Sequence, residues 1–192
     1  MKVVIVGGVA GGATAAARIR RLNEQAEIVV FERSGYISYA NCGLPYYIGG
    51  VIEDPEDLTL QTPESFFSRF RIHMKAHHEV TAIHPDSKTV SVKNLETGEI
   101  FEESYDKLLL SPGAKPVWPN LPGMNSDKLF TLRTVEDTFR IKEFVDQQRP
   151  KSAVMVGGGF IGLEVAENLR ELGDVAEHVV DIAVLPCLAA ER

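Results

Sequence analysis

The sequence has few cysteines, no long apolar run and a shortage of positive charge. Its 192 residues contain two cysteines, Cys42 and Cys187, which excludes a disulfide framework. No run approaches the roughly 18 apolar residues of a membrane span, and Met1 begins no signal-peptide pattern, so the cytoplasm is the expected compartment. The net charge is −7. Non-specific nucleic-acid binding is therefore not expected, because it relies on an excess of Lys and Arg.

The first 33 residues follow a nucleotide-binding pattern. A β-branched run at residues 2–6 leads into the glycine-rich stretch 7–12 and then into the helix-forming stretch 13–22. A second strand, 27–31, ends at Glu32. Such a strand–turn–helix–strand unit points backbone N–H groups and the positive end of the helix dipole at a pyrophosphate. The acid that follows the second strand is then placed to accept hydrogen bonds from ribose hydroxyls.

The glycine spacing departs from the general dinucleotide fingerprint G-x-G-x-x-G at one position. Gly7 and Gly12 occupy the first and third glycine positions, whereas Val9 occupies the second. A tight turn with close helix packing and no ligand is the alternative interpretation. The candidate binding residues of this loop are Gly7, Gly8, Val9, Ala10, Gly11 and Gly12.

The middle of the chain predicts short strands. Thr62 and Pro63 indicate the N-cap and first residue of a short helix. Four strand segments follow at 71–75, 79–83, 89–93 and 99–102, and turn signals separate the last three, which predicts an antiparallel meander inserted in an α/β domain. The nearby histidines lack the fixed spacing of a zinc site, so no metal is expected.

A buried strand over residues 105–110 is predicted to return to the main sheet. Its break at Ser111, Pro112 and Gly113 lets the backbone approach a ligand, and an ordinary strand-to-loop exit is the alternative. A proline-rich linker and a helix over 133–148 lead to a second strand–glycine–helix pattern. Here Gly157, Gly159 and Gly162 fill all three positions of the fingerprint, which predicts a second dinucleotide site before a helix over 165–172.

Cys42 lies in the stretch 38–46, Ser-Tyr-Ala-Asn-Cys-Gly-Leu-Pro-Tyr, just after the first nucleotide-binding pattern. A lone cysteine in a reducing compartment is either inert core or chemically active. Taken together, two nucleotide loops, a meander and one Asn-Cys stretch resemble the FAD-dependent pyridine nucleotide-disulfide oxidoreductases. Within them the chain resembles the single-cysteine branch of coenzyme A-disulfide reductases, NADH-dependent persulfide reductases and NADH oxidases. The resemblance is carried by residues 7–21, 31–33, 38–46, 102–114 and 156–164.

This resemblance implies an α/β fold with three parts. Residues 1–115 would form a Rossmann-like FAD-binding domain with an inserted antiparallel β-meander. Residues 116–150 would form a linker and helix, and 151–192 the start of a second Rossmann-like, NAD(P)-binding domain with an atypical tail. Complete members of the family continue for hundreds of residues and form homodimers, so the chain is expected to be truncated.

The resemblance also assigns roles to individual residues. Cys42 would be the catalytic thiol, whereas an ordinary structural role is kept for Cys187. FAD would be bound by the first loop together with Glu32, Arg33, Asn41, Ser111, Pro112 and Gly113. NAD(P)H would be bound by Gly157, Gly159, Ile161, Gly162 and Glu164, and Phe160 would lie where the family often has an aromatic side chain near the flavin. Coenzyme A would contact Thr14, Arg18, Arg21, Ser38 and Asn41.

The implied chemistry carries electrons from NAD(P)H through FAD to Cys42. Without a second cysteine in a C-x-x-x-x-C pattern, Cys42 must react with an external sulfur or with oxygen. Coenzyme A disulfide or a persulfide is the expected small-molecule partner. A non-catalytic FAD-binding fragment and an oxygen-reducing NADH oxidase that forms a cysteine sulfenic acid are the alternatives.

The tail gives two weaker patterns. Asp181, which follows an apolar pair, imitates the ribose-binding acid, and Gly173-Asp174 resembles a later FAD segment of the family. Otherwise the stretch 174–192 is not expected to continue with the next strand of the nucleotide-binding domain.

Overall fold

The computed structural model describes residues 1–118, 120–173 and 176–180, the last of these as backbone only. The described residues form nine strands and five α-helices. The strands are β1 (Lys2–Val6), β2 (Glu27–Phe31), β3 (His73–Lys75), β4 (His78–His84), β5 (Thr89–Asn94), β6 (Ile100–Ser104), β7 (Lys107–Leu110), β8 (Ser152–Val156) and β9 (Ala176–Val180). The helices are α1 (Ala10–Leu22), α2 (Leu44–Ile48), α3 (Pro63–Phe70), α4 (Val135–Gln148) and α5 (Phe160–Glu171).

The chain divides into two compact units. The first contains Met1–Ala40 and Thr59–Trp118, and the second contains Asn41–Leu58 and the described residues from 120 onward. Cys42 therefore belongs to the second unit. None of the helices in the described ranges is long and apolar enough to cross a membrane.

The first unit is built on a four-stranded parallel sheet in the order β3-β2-β1-β7. The central residues of β1 and β2 are fully buried apolar side chains. Continuous apolar strands of this kind are typical of parallel sheets covered on both faces. Here one face packs against α1 and α3 through Ala13, Ala16 and Phe66, and the other packs against the meander through Val90 and Val92.

The antiparallel meander consists of β4, β5 and β6 in that order, with a register shift between Val80 and Ala82. This confirms the predicted α/β fold with its inserted meander. One of the four predicted strand segments lies elsewhere, because β3 pairs in parallel with β2 and extends the main sheet. The predicted return of the chain to that sheet is also confirmed, since β7 pairs in parallel with β1.

In the second unit, β8, α5 and β9 form a strand–helix–strand unit in which β8 and β9 are parallel. A small core of Ile48, Ile141, Val165 and Leu169 joins α2, α4 and α5. The strand β9 corrects the expectation that residues after 174 depart from the nucleotide-binding pattern. The tail interpretations at Asp174, Asp181 and Cys187 lie outside the described residues.

The helices begin close to the predicted positions, with one systematic difference. Thr62 caps α3 as predicted, and its side chain accepts a hydrogen bond from the backbone N–H of Ser65. However, α1 begins at Ala10 and α5 at Phe160, three and five residues earlier than the helix-forming stretches suggested. The glycines of both loops are responsible, because Gly12 and Gly162 lie inside the first helical turn, where they let the helix start against the preceding loop.

Arg20 fastens the end of α1 to the end of α3. Its Nε donates a hydrogen bond to the carbonyl oxygen of Phe70 at 2.8 Å, and its Nη2 donates to that of Arg71 at 2.8 Å. Its Nη1 also donates to the carbonyl oxygen of Glu24 at 2.7 Å. One side chain thus satisfies three carbonyl groups from two chain segments, because the planar guanidinium group presents several donors in fixed directions.

Replacing Arg20 with methionine should lower the free energy of unfolding by about 2 kcal/mol, because these charge-assisted bonds are lost. Such a loss corresponds to a melting temperature about 4 to 8 °C lower for a chain of this size. Arg21→Met is the matched control, since the exposed Arg21 side chain forms no hydrogen bond or ion pair with any described residue, and its effect should stay below about 0.5 kcal/mol. Equal losses in thermal unfolding of the two variants would contradict the fastening role of Arg20.

Candidate functional site

The first glycine loop brings three backbone segments into contact. Gly7 has a φ of 96°, and a Cβ atom built there would lie 2.0 Å from the carbonyl oxygen of Ser111. A Cβ atom on Gly12 would lie 1.8 Å from the carbonyl oxygen of Gly7. The end of β1, the start of α1 and the exit of β7 therefore meet at distances that only glycine permits.

The start of α1 is open to a ligand. Val9 is the N-cap residue and makes no side-chain capping hydrogen bond. The next two residues, Ala10 and Gly11, are exposed. The first N–H groups of a helix have no partner within the helix, and together with the helix dipole they attract anions. This arrangement suits a pyrophosphate.

Glu32 follows β2 and reaches back to the glycine loop. Its Oε2 accepts a hydrogen bond from the backbone N–H of Gly8 at 2.7 Å, and its Oε1 accepts from the backbone N–H and the hydroxyl of Ser34 at 2.8 and 2.9 Å. The carboxylate is thereby fixed at the carboxyl end of β2. Each oxygen retains lone pairs with which it can accept a hydrogen bond from a ligand hydroxyl.

A cavity of about 240 Å³ opens beside this loop. Its walls include Gly7, Glu32, Arg33, Glu79 and the stretch from Pro112 to Lys115. Two of these wall residues form an ion pair, with Arg33 Nη1 3.8 Å from Glu79 Oε1. The cavity lies at the carboxyl ends of the strands, where β1 is flanked by β2 on one side and β7 on the other. In open α/β sheets this switch point is the usual ligand position.

The second glycine loop repeats part of this geometry in the second unit. Gly157 has a φ of 109°, and a Cβ atom on Gly162 would lie 2.2 Å from the carbonyl oxygen of Gly157. Gly159 is the N-cap of α5 and makes no side-chain capping bond. Phe160 is 87% exposed, as is most of the first turn. The start of α5 therefore offers a second open set of N–H groups.

Cys42 lies in a short 3₁₀ turn, Asn41–Gly43, that leads directly into α2. Its side chain is exposed and free. The following residues Leu44 and Ile48 are buried and anchor the segment, so the thiol sits on an ordered turn with access to solvent. An exposed, free thiol can exchange with an external disulfide.

The residues predicted to contact coenzyme A do not all belong to one unit. Thr14, Arg18 and Arg21 are exposed on α1 in the first unit. Ser38 has a φ of 46° and donates its backbone N–H to the carbonyl oxygen of Gly8 at 3.0 Å. Asn41 belongs to the second unit, as does Glu164 at the start of α5. The structure thus gathers the first-loop residues with Glu32, Arg33 and Ser111–Gly113, and it places Asn41 and Cys42 in the unit that carries the second loop.

Two residues of interest were not found from the sequence. Glu79 forms an ion pair with Arg33 in the cavity wall, and Arg133 donates a hydrogen bond from Nη1 to Asn41 Oδ1 at 3.1 Å. No spacing pattern connects either residue with its partner. A capping signal at Thr134 and Asp137 does mark the start of α4 beside Arg133, although it gives no reason to single out the arginine.

The chain belongs to the pyridine nucleotide-disulphide oxidoreductase family, whose family model matches residues 1–189. It is 50% identical over 172 residues to the coenzyme A disulfide reductase of Staphylococcus aureus strain NCTC 8325 / PS 47, an alignment that covers 90% of this chain and 39% of the relative. The chain therefore spans about two fifths of that relative's length.

Two solved structures show the same fold. The reduced CoADR-RHD of Bacillus anthracis is 52% identical with a TM-score of 0.92, and the match covers 95% of this chain and 33% of that one. The NAD-dependent persulfide reductase from A. fulgidus is 35% identical with a TM-score of 0.88, over 93% of this chain and 34% of that one. The predicted family is thereby confirmed.

Gly7→Ala tests the close approach of the loop to Ser111. The variant should lose at least about 3 kcal/mol of unfolding free energy, because its Cβ adds a backbone clash to the strain of a positive φ. Gly98→Ala is the matched control, since Gly98 has a φ of 78° and a Cβ placed there would have no described atom within 4 Å; strain alone should cost it about 1 kcal/mol. Equal losses of unfolding free energy in the two variants, measured by denaturant unfolding, would contradict the close approach of Gly7 to Ser111.

Proposed function

We propose that this chain carries the FAD-binding and thiol-bearing part of a flavoprotein oxidoreductase. Electrons would pass from NAD(P)H through FAD to Cys42, which reduces coenzyme A disulfide or a persulfide. The observation that carries the proposal is the exposed thiol of Cys42 on an ordered turn, in a chain half identical to a coenzyme A disulfide reductase. The expected setting is the cytoplasm, with a homodimer as the assembly and no role in nucleic-acid or membrane binding.

The first loop fits FAD. Its glycines let the end of β1, the start of α1 and the exit of β7 meet closely, and the open start of α1 supplies N–H donors for a pyrophosphate. Glu32 would accept hydrogen bonds from the ribose hydroxyls, while Arg33 and Ser111–Gly113 line the same cavity. When bound, FAD links two-electron donors such as NAD(P)H to sulfur acceptors.

The second loop fits NAD(P)H for the same reasons. Gly157, Gly159 and Gly162 would hold its pyrophosphate at the start of α5. Ile161 and Glu164 belong to the first turn or two of this helix and would contact the rest of the nucleotide, whereas Phe160 would lie near the flavin. The domain limits at residues 115 and 150 belong to the same proposal.

Cys42 would act by thiol–disulfide exchange. Its thiolate attacks one sulfur of coenzyme A disulfide, which forms a mixed disulfide with Cys42 and releases one coenzyme A thiolate. Two electrons that originate from NAD(P)H and one proton then cleave the mixed disulfide, which releases the second coenzyme A thiol and regenerates the Cys42 thiolate. A persulfide acceptor would instead transfer its outer sulfur to Cys42.

Coenzyme A carries several phosphate groups, and the α1 surface is suited to them. Arg18 and Arg21 lie three residues apart and therefore share a helix face. They are exposed positive charges in a chain of net charge −7. Thr14, Ser38 and Asn41 complete the proposed set of coenzyme A contacts.

Cys42→Ser should lower the rate of coenzyme A disulfide reduction by more than about a hundredfold, because a serine hydroxyl cannot exchange with a disulfide. The bleaching of bound flavin by NADH under anaerobic conditions should remain, since Cys42 acts after that step. The measurement is NADH oxidation with and without coenzyme A disulfide, on wild type and variant.

Cys187→Ser is the control and should retain turnover. Turnover that survives in Cys42→Ser would contradict the thiol mechanism. Flavin that binds but stays oxidised under NADH would favour a non-catalytic FAD-binding fragment. NADH-dependent oxygen consumption without any disulfide would favour an NADH oxidase.

One substitution in each glycine loop tests the assignment of FAD to the first loop and NAD(P)H to the second. In Gly12→Ala the new Cβ meets the Gly7 carbonyl oxygen, so the variant should lose unfolding free energy as Gly7→Ala does. The distorted loop should also release FAD about tenfold more readily, equivalent to about 1.4 kcal/mol. In Gly162→Ala it meets the Gly157 carbonyl oxygen, so the affinity for NAD(P)H should fall by a similar factor while FAD content is unchanged. Flavin absorbance per chain and NADH titration measure the two effects. Loss of FAD in both variants, or in neither, would contradict the assignment.

A further inference from the structure

The segment that carries Cys42 contacts two places near the start of α4, one on each side of the cysteine. On the amino side, Asn41 Oδ1 accepts a hydrogen bond from the Arg133 guanidinium at 3.1 Å. On the carboxyl side, the Tyr47 ring packs edge-on against Phe139 with centroids 5.5 Å apart. In the sequence, Cys42 thus lies between two residues that contact α4 or the residue just before its N-cap.

A third contact fixes the end of α2. A Cβ atom on Gly49 would lie 2.6 Å from the Asn168 Cβ atom of α5, and Asn168 is only 2% exposed. The carboxyl end of the segment is therefore packed firmly. The amino end has less support of its own, because Asn41–Gly43 is a single 3₁₀ turn, and hydrogen bonds in such turns have poor geometry.

Arg133 is itself well placed to support that turn. Its backbone N–H donates to Asp137 Oδ2 at 3.0 Å, and the same carboxylate oxygen accepts from the backbone N–H of Thr134 at 3.1 Å. The Thr134 bond belongs to the capping box of α4, and the Arg133 bond to the same oxygen adds to it, so the Arg133 backbone is fixed independently of its side chain. The partly buried guanidinium then reaches a residue 92 positions away, directly before Cys42.

We propose that Arg133 is a positioning residue for Cys42, which it orders by fixing Asn41. This inference rests on the proposed function, in which Cys42 must meet a disulfide along the sulfur–sulfur axis. A charged donor to a neutral acceptor forms one of the stronger hydrogen bonds in proteins. Ordering of the turn keeps the thiol in the orientation that exchange requires.

The test compares Arg133→Met, Arg133→Lys and the control Arg140→Met in the full chain. Arg140 lies on α4 with an exposed side chain and forms no hydrogen bond or ion pair with the residues described. Hydrogen exchange followed by mass spectrometry should show amides 41–43 exchanging about tenfold faster in Arg133→Met. Arg133→Lys should restore much of the protection, because lysine keeps a donor, and Arg140→Met should match wild type.

Hydrogen exchange in α4 distinguishes a local effect of Arg133 on the Cys42 turn from a general loss of stability. Because the Arg133 backbone bonds stay in place, the amides of α4 should keep their wild-type exchange rates in Arg133→Met. Faster exchange throughout α4, or unchanged exchange at 41–43, would overturn the proposal.

Turnover then separates this inference from the proposed function. Arg133→Met should lower kcat for coenzyme A disulfide about tenfold, with an unchanged KM for NADH. A wild-type kcat in this variant would overturn the positioning role. If exchange at 41–43 responds as expected but the wild-type chain reduces no disulfide, the proposed function fails and the ordering of the turn by Arg133 still stands.

Discussion

The contact on which the structure most depends is the meeting of three backbone segments at Gly7. Strand β1 ends there, α1 begins over it, and the exit of β7 passes beside it, so closely that a Cβ atom on Gly7 or Gly12 would lie within 2.0 Å of a facing carbonyl oxygen. This closeness leaves the first N–H groups of α1 uncovered, and it places Glu32 and the Ser111–Gly113 exit at one cavity. Packing and ligand access therefore have the same cause: the absence of side chains at the loop.

The second loop differs from the first in how many backbone segments the described residues bring to it. Gly162 approaches the Gly157 carbonyl oxygen much as Gly12 approaches that of Gly7, but no described atom lies within 4 Å of a Cβ placed on Gly157 or Gly159. Among the described residues, this loop therefore joins only a strand and a helix. The first loop, by contrast, also packs against the exit of β7.

Much of this organisation could be predicted because it is local. Glycine spacing, apolar runs and turn residues act over a few positions, so they located both loops, the meander and the α3 cap. The parallel pairing of β3 with β2 and the bond from Arg133 to Asn41 join residues far apart in the sequence, and no local preference encodes them. Glu32 could be predicted only in part. The strand–turn–helix–strand pattern predicts its position, but its hydrogen bonds with the backbone N–H groups of Gly8 and Ser34 depend on the folded loop.

The two sheets also differ in how they are covered. Parallel strands usually have apolar side chains buried on both faces, and Val3, Val4 and Ile5 of β1 meet that rule. In β8, Val154 and Val156 are 59% and 65% exposed, so among the described residues only one face is packed. Among the described residues, the first unit therefore has a core on both faces of its sheet, whereas the core of the second unit around Ile48 and Leu169 covers one face of β8. The Cys42 segment packs within that second unit, where the hydrogen bond from Arg133 to Asn41 and the ring contact of Tyr47 with Phe139 hold it on either side of the thiol.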